Sequence, residues 1–526
     1  MPNGYLALLL HAHLPFVRHP EYEEFFEEDW LFEAITETYI PLLKILRQLA
    51  AEKVPVRLTF TLSPSLCAML NDPLLRQRAA RYLHRGVELA AREVERTASD
   101  AATNSLACFY RDRLTEARDF YTKEIQSDIL GAFAQLQADG LIEIITCAAT
   151  HGFLPLMEAY PEAMRAQILI GRDYHRSCFG SDPTGIWLPE CAYVPGVARF
   201  LVEANLRWFV IDAHGLMYGQ PRPRFAIYAP CFTPAGPAAF ARDRDSSRQV
   251  WSAREGYPGD PAYRDFYRDI GSDLPEEYLH RVLPDTGHRR PTGIKYHRIT
   301  GREPKELYRR DWAMGAADSH AGHFLQSRVD QITHLRSILP IPPVVLAPFD
   351  AELFGHWWYE GPEFLNLFLR KAAYDQDSFS FLTPTDYLAR HPTQQIVAPS
   401  SSSWGNKGYW EVWLDRCNSW IYPHLHAAAR RMTESARRFA KSRSQFIQRT
   451  LRQMARELLL AQSSDWAFLM KTGTASDYAT RRTKDHILRF NKLFNNLETR
   501  TRDEEFLKQC ESTDNIFPDL EWRYYL

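Results

Sequence analysis

Long apolar segments are missing from this sequence. None of its 526 residues belongs to an uninterrupted run of about 18 apolar residues, the length that a membrane-spanning helix needs. The apolar residues 6–10 are too few for the core of a secretory signal, and no basic segment precedes them. We therefore expect a cytoplasmic protein without a membrane partner.

An excess of charge of either sign is missing too. Lys and Arg total 63 and Asp and Glu total 65, so the formal net charge is −2. Without a basic or acidic field the chain is not expected to recruit nucleic acid, and a neutral polymer is a better partner. The eight cysteines form no C-x-x-C pair, which indicates neither a zinc site nor a disulfide framework.

Aromatic side chains, by contrast, are abundant. They make up 13% of the residues and include 13 Trp and 25 Tyr. Most of them are expected in a buried core, but the number exceeds what a core needs. The excess fits flat platforms on which sugar rings stack.

Seven short apolar runs that end in polar residues predict the strands of an α/β fold. Their length and their content of Val, Ile, Phe and Leu are typical of buried parallel strands. Helical patterns lie between several of them, one opened by Pro161 and another over residues 329–339, and this alternation predicts a barrel. The runs are 5–13, 57–63, 142–151, 185–190, 208–214, 238–243 and 344–350.

The chain between and after these runs predicts further units. Residues 72–140 are too long for a simple crossover and are charged, Ala-rich and Leu-rich, which predicts an inserted helical subdomain. Residues 221–300 have the Pro, Gly and Arg content of long loops over a barrel mouth. A serine run near residue 400 predicts a boundary between a catalytic barrel, 1–400, and an all-helical C-terminal domain, 401–526.

Two strand ends carry acids. The segment 348–362, PFDAELFGHWWYEGP, closes an apolar run with Asp350 and Glu352 and continues into aromatic rings. The segment 185–193, GIWLPECAY, closes another run with Glu190. Two acids from separate strand ends are the minimum equipment of a glycosidase.

Both segments, together with HAHLP at 11–15 and SWG at 403–405, resemble the pattern of glycoside hydrolase family 57, and within it the 1,4-α-glucan branching enzymes. The resemblance extends from about residue 5 to the end of the chain. It implies an incomplete (β/α)7 barrel, in agreement with the seven runs, and no cofactor. It also implies a retaining enzyme that cuts an α-1,4-glucosidic bond and re-attaches the chain through an α-1,6 bond, building glycogen or a similar polymer.

The resemblance assigns roles to individual residues. Glu190 matches the nucleophile and Asp350 the general acid/base, and both close strands where the active site of such a barrel lies. In the family's branching enzymes a loop tyrosine shields the intermediate from water, and Tyr228 is its best match here. The remaining implied substrate-binding residues are His11, His13, Trp30, His151, His214, Arg242, Trp251, Trp404 and Trp413.

The residues themselves support part of this assignment. The general acid must stay protonated near neutral pH, and crowding by Phe349, Phe354, Trp357 and Trp358 would raise the pKa of Asp350 by desolvation. Glu352 is interpreted as a partner of the acids or of a substrate hydroxyl, although it could be the working acid instead. His11 and His13 stand two residues apart, so on a strand they face the same side.

Other functions stay open at this point. The catalytic acids are identical in hydrolysis and transfer, so an α-amylase or a 4-α-glucanotransferase of the same family is an alternative. A His-x-His motif, a fourth-strand acid, His214 and a late Asp also resemble the metal cluster of barrel hydrolases that cleave amides or esters. A glucan-binding protein without activity is a further possibility, and the oligomeric state is not readable.

Overall fold

The computed structural model describes residues 2–252, 255–285 and 287–526, and these residues form nine strands. The strands, in chain order, are β1 (Gly4–Ala12), β2 (Leu58–Leu62), β3 (Ile142–Cys147), β4 (Gly185–Trp187), β5 (Trp208–Ile211), β6 (Cys231–Phe232), β7 (Ala238–Ala241), β8 (Val344–Asp350) and β9 (Phe379–Phe381).

The central sheet consists of parallel strands in the order β7-β5-β4-β3-β2-β1-β8. It curls so that its two edges approach each other: the backbone N–H of Asp243, two residues after β7, donates to the carbonyl of Leu346 in β8 at 2.8 Å. All residues of β1 and β2 are buried, as expected where helices cover the outside of a curled parallel sheet and side chains fill its interior. The incomplete seven-stranded α/β barrel predicted from the sequence is thus confirmed.

Two strands and several strand ends differ from the prediction. β6 pairs antiparallel with β7, and β9 pairs parallel with β1; neither was predicted, because two or three residues carry too little pattern. The predicted run 142–151 ends as a strand at Cys147, but residues 148–151 are just as buried. Burial alone therefore does not mark where a strand stops.

Between β2 and β3 the chain is helical, as the composition predicts. Asp72 caps one of these helices by accepting from the backbone N–H groups of Leu74 and Leu75. The range 72–140 as a separate subdomain stays a prediction. The helices in this crossover are Pro64–Asn71, Pro73–Arg96, Ala101–Asp119 and Ile129–Ala138.

The other helices of the first 400 residues cover the sheet or build the loops above it. The sequence correctly predicts the helix that Pro161 opens, and most of the residues from 329 to 339 lie in another predicted helix. These helices are Asp29–Ala34, Ile40–Ala51, Pro161–Phe179, Ala198–Glu203, Ala213–Met217, Arg244–Trp251, Ile270–Asp273, Glu276–Leu279, Arg310–Ile338, Gly361–Tyr374 and Pro384–Arg390.

The serine-rich stretch near residue 400 packs on the barrel. Ser402 pairs with Tyr193 as an antiparallel bridge and is fully buried, and the N–H of Ser400 donates to the carbonyl of Gly215 at 2.8 Å. The stretch therefore runs along the loops that follow β4 and β5 and does not hang free as a linker. The division of the chain into 1–400 and 401–526 stays a prediction.

The last hundred residues are helical and dock against the strand ends. Gly152, after β3, forms a bridge with Ser463, and the N–H of Ser464 donates to the carbonyl of His151 at 3.0 Å. In the part of the chain that the structure describes, no helix has both the length and the apolar character to cross a membrane. The C-terminal helices are Ile421–Phe439, Gln445–Ala461, Ser464–Thr472, Ser476–Glu498 and Glu504–Thr513.

Candidate active site

A cavity of about 510 Å³ opens where the parallel strands end. The register between β1 and β8 pairs His11 with Asp350, so the first and last strands deliver their polar residues to the same level. Strand ends of a curled parallel sheet meet at one rim, which explains why residues distant in sequence converge here. Of the residues predicted for the site, the cavity is lined by His11, His13, His151, Glu190, Arg242, Trp251, Asp350, Trp404 and Trp413.

Glu190 follows β4 in a left-handed backbone conformation, with φ 62° and ψ 23°. Such a conformation costs a residue with a side chain about 1–3 kcal/mol and concentrates at functional sites. Its carboxylate Oε1 accepts a hydrogen bond from the hydroxyl of Ser464 at 3.0 Å, and Oε2 accepts one from the indole N–H of Trp404 at 2.8 Å. Burial raises the pKa of Glu190 to about 7, while these two donors act to lower it.

Asp350 is the last residue of β8, and its side chain faces the cavity. Within the described residues its carboxyl group has no hydrogen-bond partner. Burial raises the pKa of Asp350 well above its usual value, and the nearby charges of Glu352 and Glu190 raise it further against the influence of Arg242. Burial and the neighbouring carboxylates therefore both favour the protonated form of Asp350.

The rings expected to crowd Asp350 are only partly where the sequence places them. Trp357 lines the cavity and is 54% exposed. Trp358 is instead 1% exposed and packs against Phe354 and Phe364 in the core. The pKa of Asp350 thus rises mainly through general burial and carboxylate neighbours.

Glu352 forms part of the wall beside Asp350. Its Oε1 accepts hydrogen bonds from the hydroxyl of Tyr39 and from the backbone N–H of His13. Burial raises its pKa to about 7. Because these donors hold the carboxylate in place, Glu352 supports the position of His13 and adds charge near Asp350.

Three histidines stack along one wall of the cavity, and burial keeps two of them neutral. His11 Nε2 lies 3.1 Å from His151 Nε2, the rings of His13 and His151 stack at 3.8 Å, and His11 stacks on Trp187 at 4.6 Å. Burial, followed by repulsion between the rings, lowers the pKa of both His11 and His151 well below the usual value. Neutral imidazoles can both donate and accept, which suits the hydroxyl groups of a sugar.

His13 differs from its neighbours because it has an acidic partner. Its Nε2 lies 3.0 Å from Oδ2 of Asp465, and its Nδ1 lies 2.8 Å from the hydroxyl of Ser63. Burial works to lower the pKa of His13, but Asp465 outweighs it and the pKa is raised. Burial also works to raise the pKa of Asp465, but the interaction with His13 opposes it and the pKa is lowered to about 2.

Ser464 and Asp465 are site residues that the sequence analysis missed. They begin the helix Ser464–Thr472, so the C-terminal helices supply a hydrogen-bond donor to Glu190 and an acceptor to His13. Ser-Ser-Asp before an apolar helix is an ordinary N-terminal capping pattern. Nothing local to it indicates a catalytic neighbour.

Arg242 and His214 meet at Asp212. Arg242 Nη2 lies 2.6 Å from Asp212 Oδ2, and His214 Nδ1 lies 2.8 Å from Asp212 Oδ1. The other ring nitrogen of His214 is 2.8 Å from the carbonyl of Gly408, so this histidine holds a loop and does not line the catalytic cavity. Arg242 does line it, with its guanidinium 5.6 Å from the ring of Trp404.

The four predicted tryptophan platforms have different environments. Trp251 is 41% exposed, and Trp404 is half-buried and lies edge-on to Trp187 at 5.0 Å. Trp413 reaches the cavity wall but is 1% exposed and stacks on Phe153 at 4.4 Å, so it belongs chiefly to the core. Trp30 packs edge-on against Tyr478 and does not line this cavity, so its role as a platform stays a prediction.

Tyr228, predicted to shield the intermediate, does not line the cavity either. Its backbone carbonyl accepts from the N–H of Val344, the first residue of β8, whereas Asp350 is the last. At about 3.3 Å per residue, six steps along a strand put Tyr228 roughly 20 Å from the acid. Two other aromatic residues near this loop in the sequence, Phe232 and Tyr257, do not line the cavity either: Phe232 lies in β6, and the hydroxyl of Tyr257 lies 2.8 Å from a ring nitrogen of His323.

A metal site was the main rival interpretation. Within the described residues, ligand atoms of His13, His151 and Asp465 lie within 4.8 Å of one another. Each ring nitrogen of the two histidines already has a protein partner, namely Ser63, Asp465, Ser464 and His11. The ring nitrogens are therefore engaged in a hydrogen-bond network.

Two family models match this chain. Residues 7–399 match the family model of glycosyl hydrolase family 57, and residues 424–525 match the model of the C-terminal region of 1,4-alpha-glucan branching enzymes. A 1,4-alpha-glucan branching enzyme of Thermococcus kodakarensis is 33% identical over 98% of this chain and 77% of its own length. A probable 1,4-alpha-glucan branching enzyme of Mycobacterium tuberculosis is 29% identical over 92% of this chain and 90% of its own.

Solved structures are similar over the whole chain. An alpha-amylase from Thermotoga maritima has 43% identity and a TM-score of 0.93, covering 100% of this chain and 99% of its own. A branching enzyme from Pyrococcus horikoshii has 34% identity and a TM-score of 0.89, covering 100% and 97%. The chain therefore belongs to glycosyl hydrolase family 57, and its C-terminal region is that of the 1,4-α-glucan branching enzymes of this family.

Proposed function

We propose that this enzyme is a retaining α-glucan branching enzyme, which cleaves an α-1,4-glucosidic bond and transfers the released chain to form an α-1,6 branch. The observation that carries the proposal is the placement of Glu190 and Asp350 in one cavity, where two donors hold the carboxylate of Glu190 and burial favours the protonated form of Asp350. A carboxylate beside a protonated carboxylic acid is what a retaining glycosidase needs.

The first half of the reaction uses both acids at once. Asp350 gives its proton to the glycosidic oxygen of the leaving chain, while the Glu190 carboxylate attacks the anomeric carbon and forms a covalent glycosyl-enzyme. Ser464 and Trp404 hold the two oxygens of Glu190, which fixes the direction of attack. The leaving chain departs with a free 4-hydroxyl group.

The second half reverses these roles. Asp350, now ionised, takes the proton from the 6-hydroxyl group of an acceptor glucan, and the acceptor oxygen displaces Glu190 from the anomeric carbon. Two inversions leave the α configuration unchanged. His11 and His151, both neutral, are placed to bond the sugar hydroxyls next to the reacting carbon.

An α-amylase is the second candidate, and two observations favour it. The Thermotoga maritima enzyme, with a TM-score of 0.93 over the whole chain, is described as an alpha-amylase. In addition, the loop tyrosine expected to shield the intermediate, Tyr228, lies far from the cavity. A glycosyl-enzyme open to water is hydrolysed by the same two acids.

The deciding experiment is incubation of the purified protein with amylose, followed by counts of reducing ends and of α-1,6 linkages by proton NMR. A branching enzyme produces new α-1,6 linkages with few new reducing ends, whereas an amylase produces reducing ends alone. Glu190→Gln and Asp350→Asn should each remove nearly all activity and leave the fold intact. Nucleophilic attack by Glu190 and proton transfer by Asp350 each contribute several orders of magnitude to the reaction rate. Normal turnover in either variant would refute the assignment of the acids.

A further inference from the structure

A second cavity, of about 720 Å³, lies beside the catalytic one. The two share Arg242, Trp251 and Trp404 in their walls. Trp404 is also the residue whose indole N–H bonds Glu190. A molecule in the second cavity therefore touches a side chain that holds the nucleophile.

The two cavities differ in the charged side chains that line them. The catalytic cavity is lined by four carboxyl groups and one arginine, Arg242. The second cavity is lined by Arg242, Arg244, Arg248 and Lys407, with Asp212 as its carboxylate. It thus concentrates three more positive than negative charges on a chain whose formal net charge is −2.

Asp212 cannot neutralise this group of cations. It already bonds Arg242 at 2.6 Å and His214 at 2.8 Å, with Arg244 at 3.4 Å. Arg248 is 4.0 Å from its nearest acidic partner, and that pair is about two-thirds exposed, so its mutual attraction is weak. Lys407 has no ion-pair partner in the described ranges. Arg248 and Lys407 are therefore available to an anionic ligand.

Aromatic rings complete the lining. Tyr218 is 55% exposed, Tyr409 is 43% exposed and Trp251 is 41% exposed, which is unusual for three large rings in one cavity. Exposed rings of this kind stack on pyranose faces. A neutral glucan would use the rings alone, whereas the unpaired cations add binding energy only for a ligand that carries negative charge.

We propose that the second cavity binds a phosphorylated sugar, with its ring on the exposed aromatics and its phosphate on Arg248 and Lys407. The phosphate group has two chemical sources. It can be an ester on a glucan chain that continues from the catalytic cavity, or it can belong to a free sugar phosphate such as glucose 1-phosphate. Through the shared residue Trp404, either ligand reaches the hydrogen bond to Glu190.

The test is direct binding measured by titration calorimetry. Glucose 1-phosphate is titrated into the protein, with methyl α-glucoside as the uncharged comparison. We expect glucose 1-phosphate to bind at least ten-fold more tightly than methyl α-glucoside. Its affinity should fall as salt is added, because salt screens exposed charges. Equal affinities for the two ligands, or no detectable binding of glucose 1-phosphate, would overturn the proposal.

Variants place the ligand in the cavity. Arg248→Gln combined with Lys407→Gln should weaken binding of glucose 1-phosphate by ten-fold or more. The control is Arg430→Gln combined with Lys441→Gln, which removes the same charge from exposed C-terminal positions and should leave the affinity unchanged. Equal weakening in both double variants would mean a general charge effect and no site. Circular dichroism checks the fold of each.

Two further measurements identify the source of the phosphate and show whether binding depends on catalysis. A phosphorylated maltodextrin that binds ten-fold more tightly than glucose 1-phosphate would identify the glucan as the source, whereas equal affinity would identify the free sugar phosphate. Glu190→Gln, which removes turnover if the proposed function is right, should keep the affinity within about three-fold. Calorimetry measures binding without turnover. The binding result therefore stands even if the protein proves not to be a branching enzyme.

Discussion

Ser464→Ala removes one of the two hydrogen-bond donors that hold Glu190. The hydroxyl stabilises the ionised carboxylate, and the nucleophile must be ionised to attack. Loss of the donor therefore raises the pKa of Glu190 from its value of about 7 in the unmutated enzyme. The acidic limb of the pH profile of kcat/KM should move to higher pH.

The size of the shift follows from the strength of the lost bond. A hydrogen bond to a charged group contributes about 1.5–3 kcal/mol, which corresponds to a pKa change of about 1–2 units. With a starting pKa of about 7, half of Glu190 is ionised at pH 7. A shift of one unit leaves about a tenth ionised and lowers kcat/KM at pH 7 about five-fold, and a shift of two units lowers it about fifty-fold.

The assay is initial-rate bond cleavage on amylose between about pH 5 and 9. Ser464→Ala should recover much of its lost activity at high pH, whereas a damaged active site would lose activity at every pH. Thr472→Ala is the matched control, because its hydroxyl bonds backbone carbonyls at the other end of the same helix. An acidic limb that stays in place, with kcat/KM at pH 7 within two-fold of the parent enzyme, would refute the role of Ser464.

Three other outcomes are expected. Activity on amylose should survive exhaustive EDTA treatment, since the nitrogens of His13 and His151 are engaged by protein groups; loss that zinc or manganese restores would favour a metal site. Truncation near residue 400 should abolish processing, because Trp404 and Ser464 leave the site; a folded fragment with normal turnover would contradict this. Tyr228→Ala should leave the ratio of transfer to hydrolysis unchanged, and a fall in α-1,6 linkages per bond cleaved would show that the loop moves into the site.

The fold was readable from the sequence because a parallel sheet is buried on both faces. Every one of the seven apolar runs contains a strand, since continuous burial demands continuous apolar residues. The ends of the strands were less readable. After β3 the chain turns away from the sheet but stays covered, so the apolar pattern continues to His151.

The catalytic acids were predictable for a related reason. Glu190 and Asp350 each follow an apolar run directly, and parallel strands end at the same rim. Ser464 and Asp465 reach the rim from one helix, which begins more than 270 residues after Glu190. Their contribution depends on how the C-terminal helices dock, which is a tertiary property that no local pattern encodes.

Three ring residues lie mainly outside the cavity for a similar reason. Trp30, Tyr228 and the largely buried Trp413 were assigned from family likeness, and a ring near a motif can face either the core or the cleft. Trp413 stacks on Phe153 and Trp30 packs on Tyr478, so burial by aromatic neighbours decided both positions. Tyr228 lies in a loop that descends to the opposite end of β8.

With Tyr228 remote, water must be kept from the glycosyl-enzyme by other groups. The rings at the cavity mouth are Trp251, Trp357 and Phe468, and they are 41%, 54% and 44% exposed. Rings so open to solvent do not form a closed lid by themselves. An acceptor glucan that stacks on them would cover the mouth, and the same event would bring a 6-hydroxyl group to Asp350. Exclusion of water and delivery of the acceptor would then be one step, so that the choice between branching and hydrolysis depends on whether a second chain occupies the mouth before water reaches Glu190.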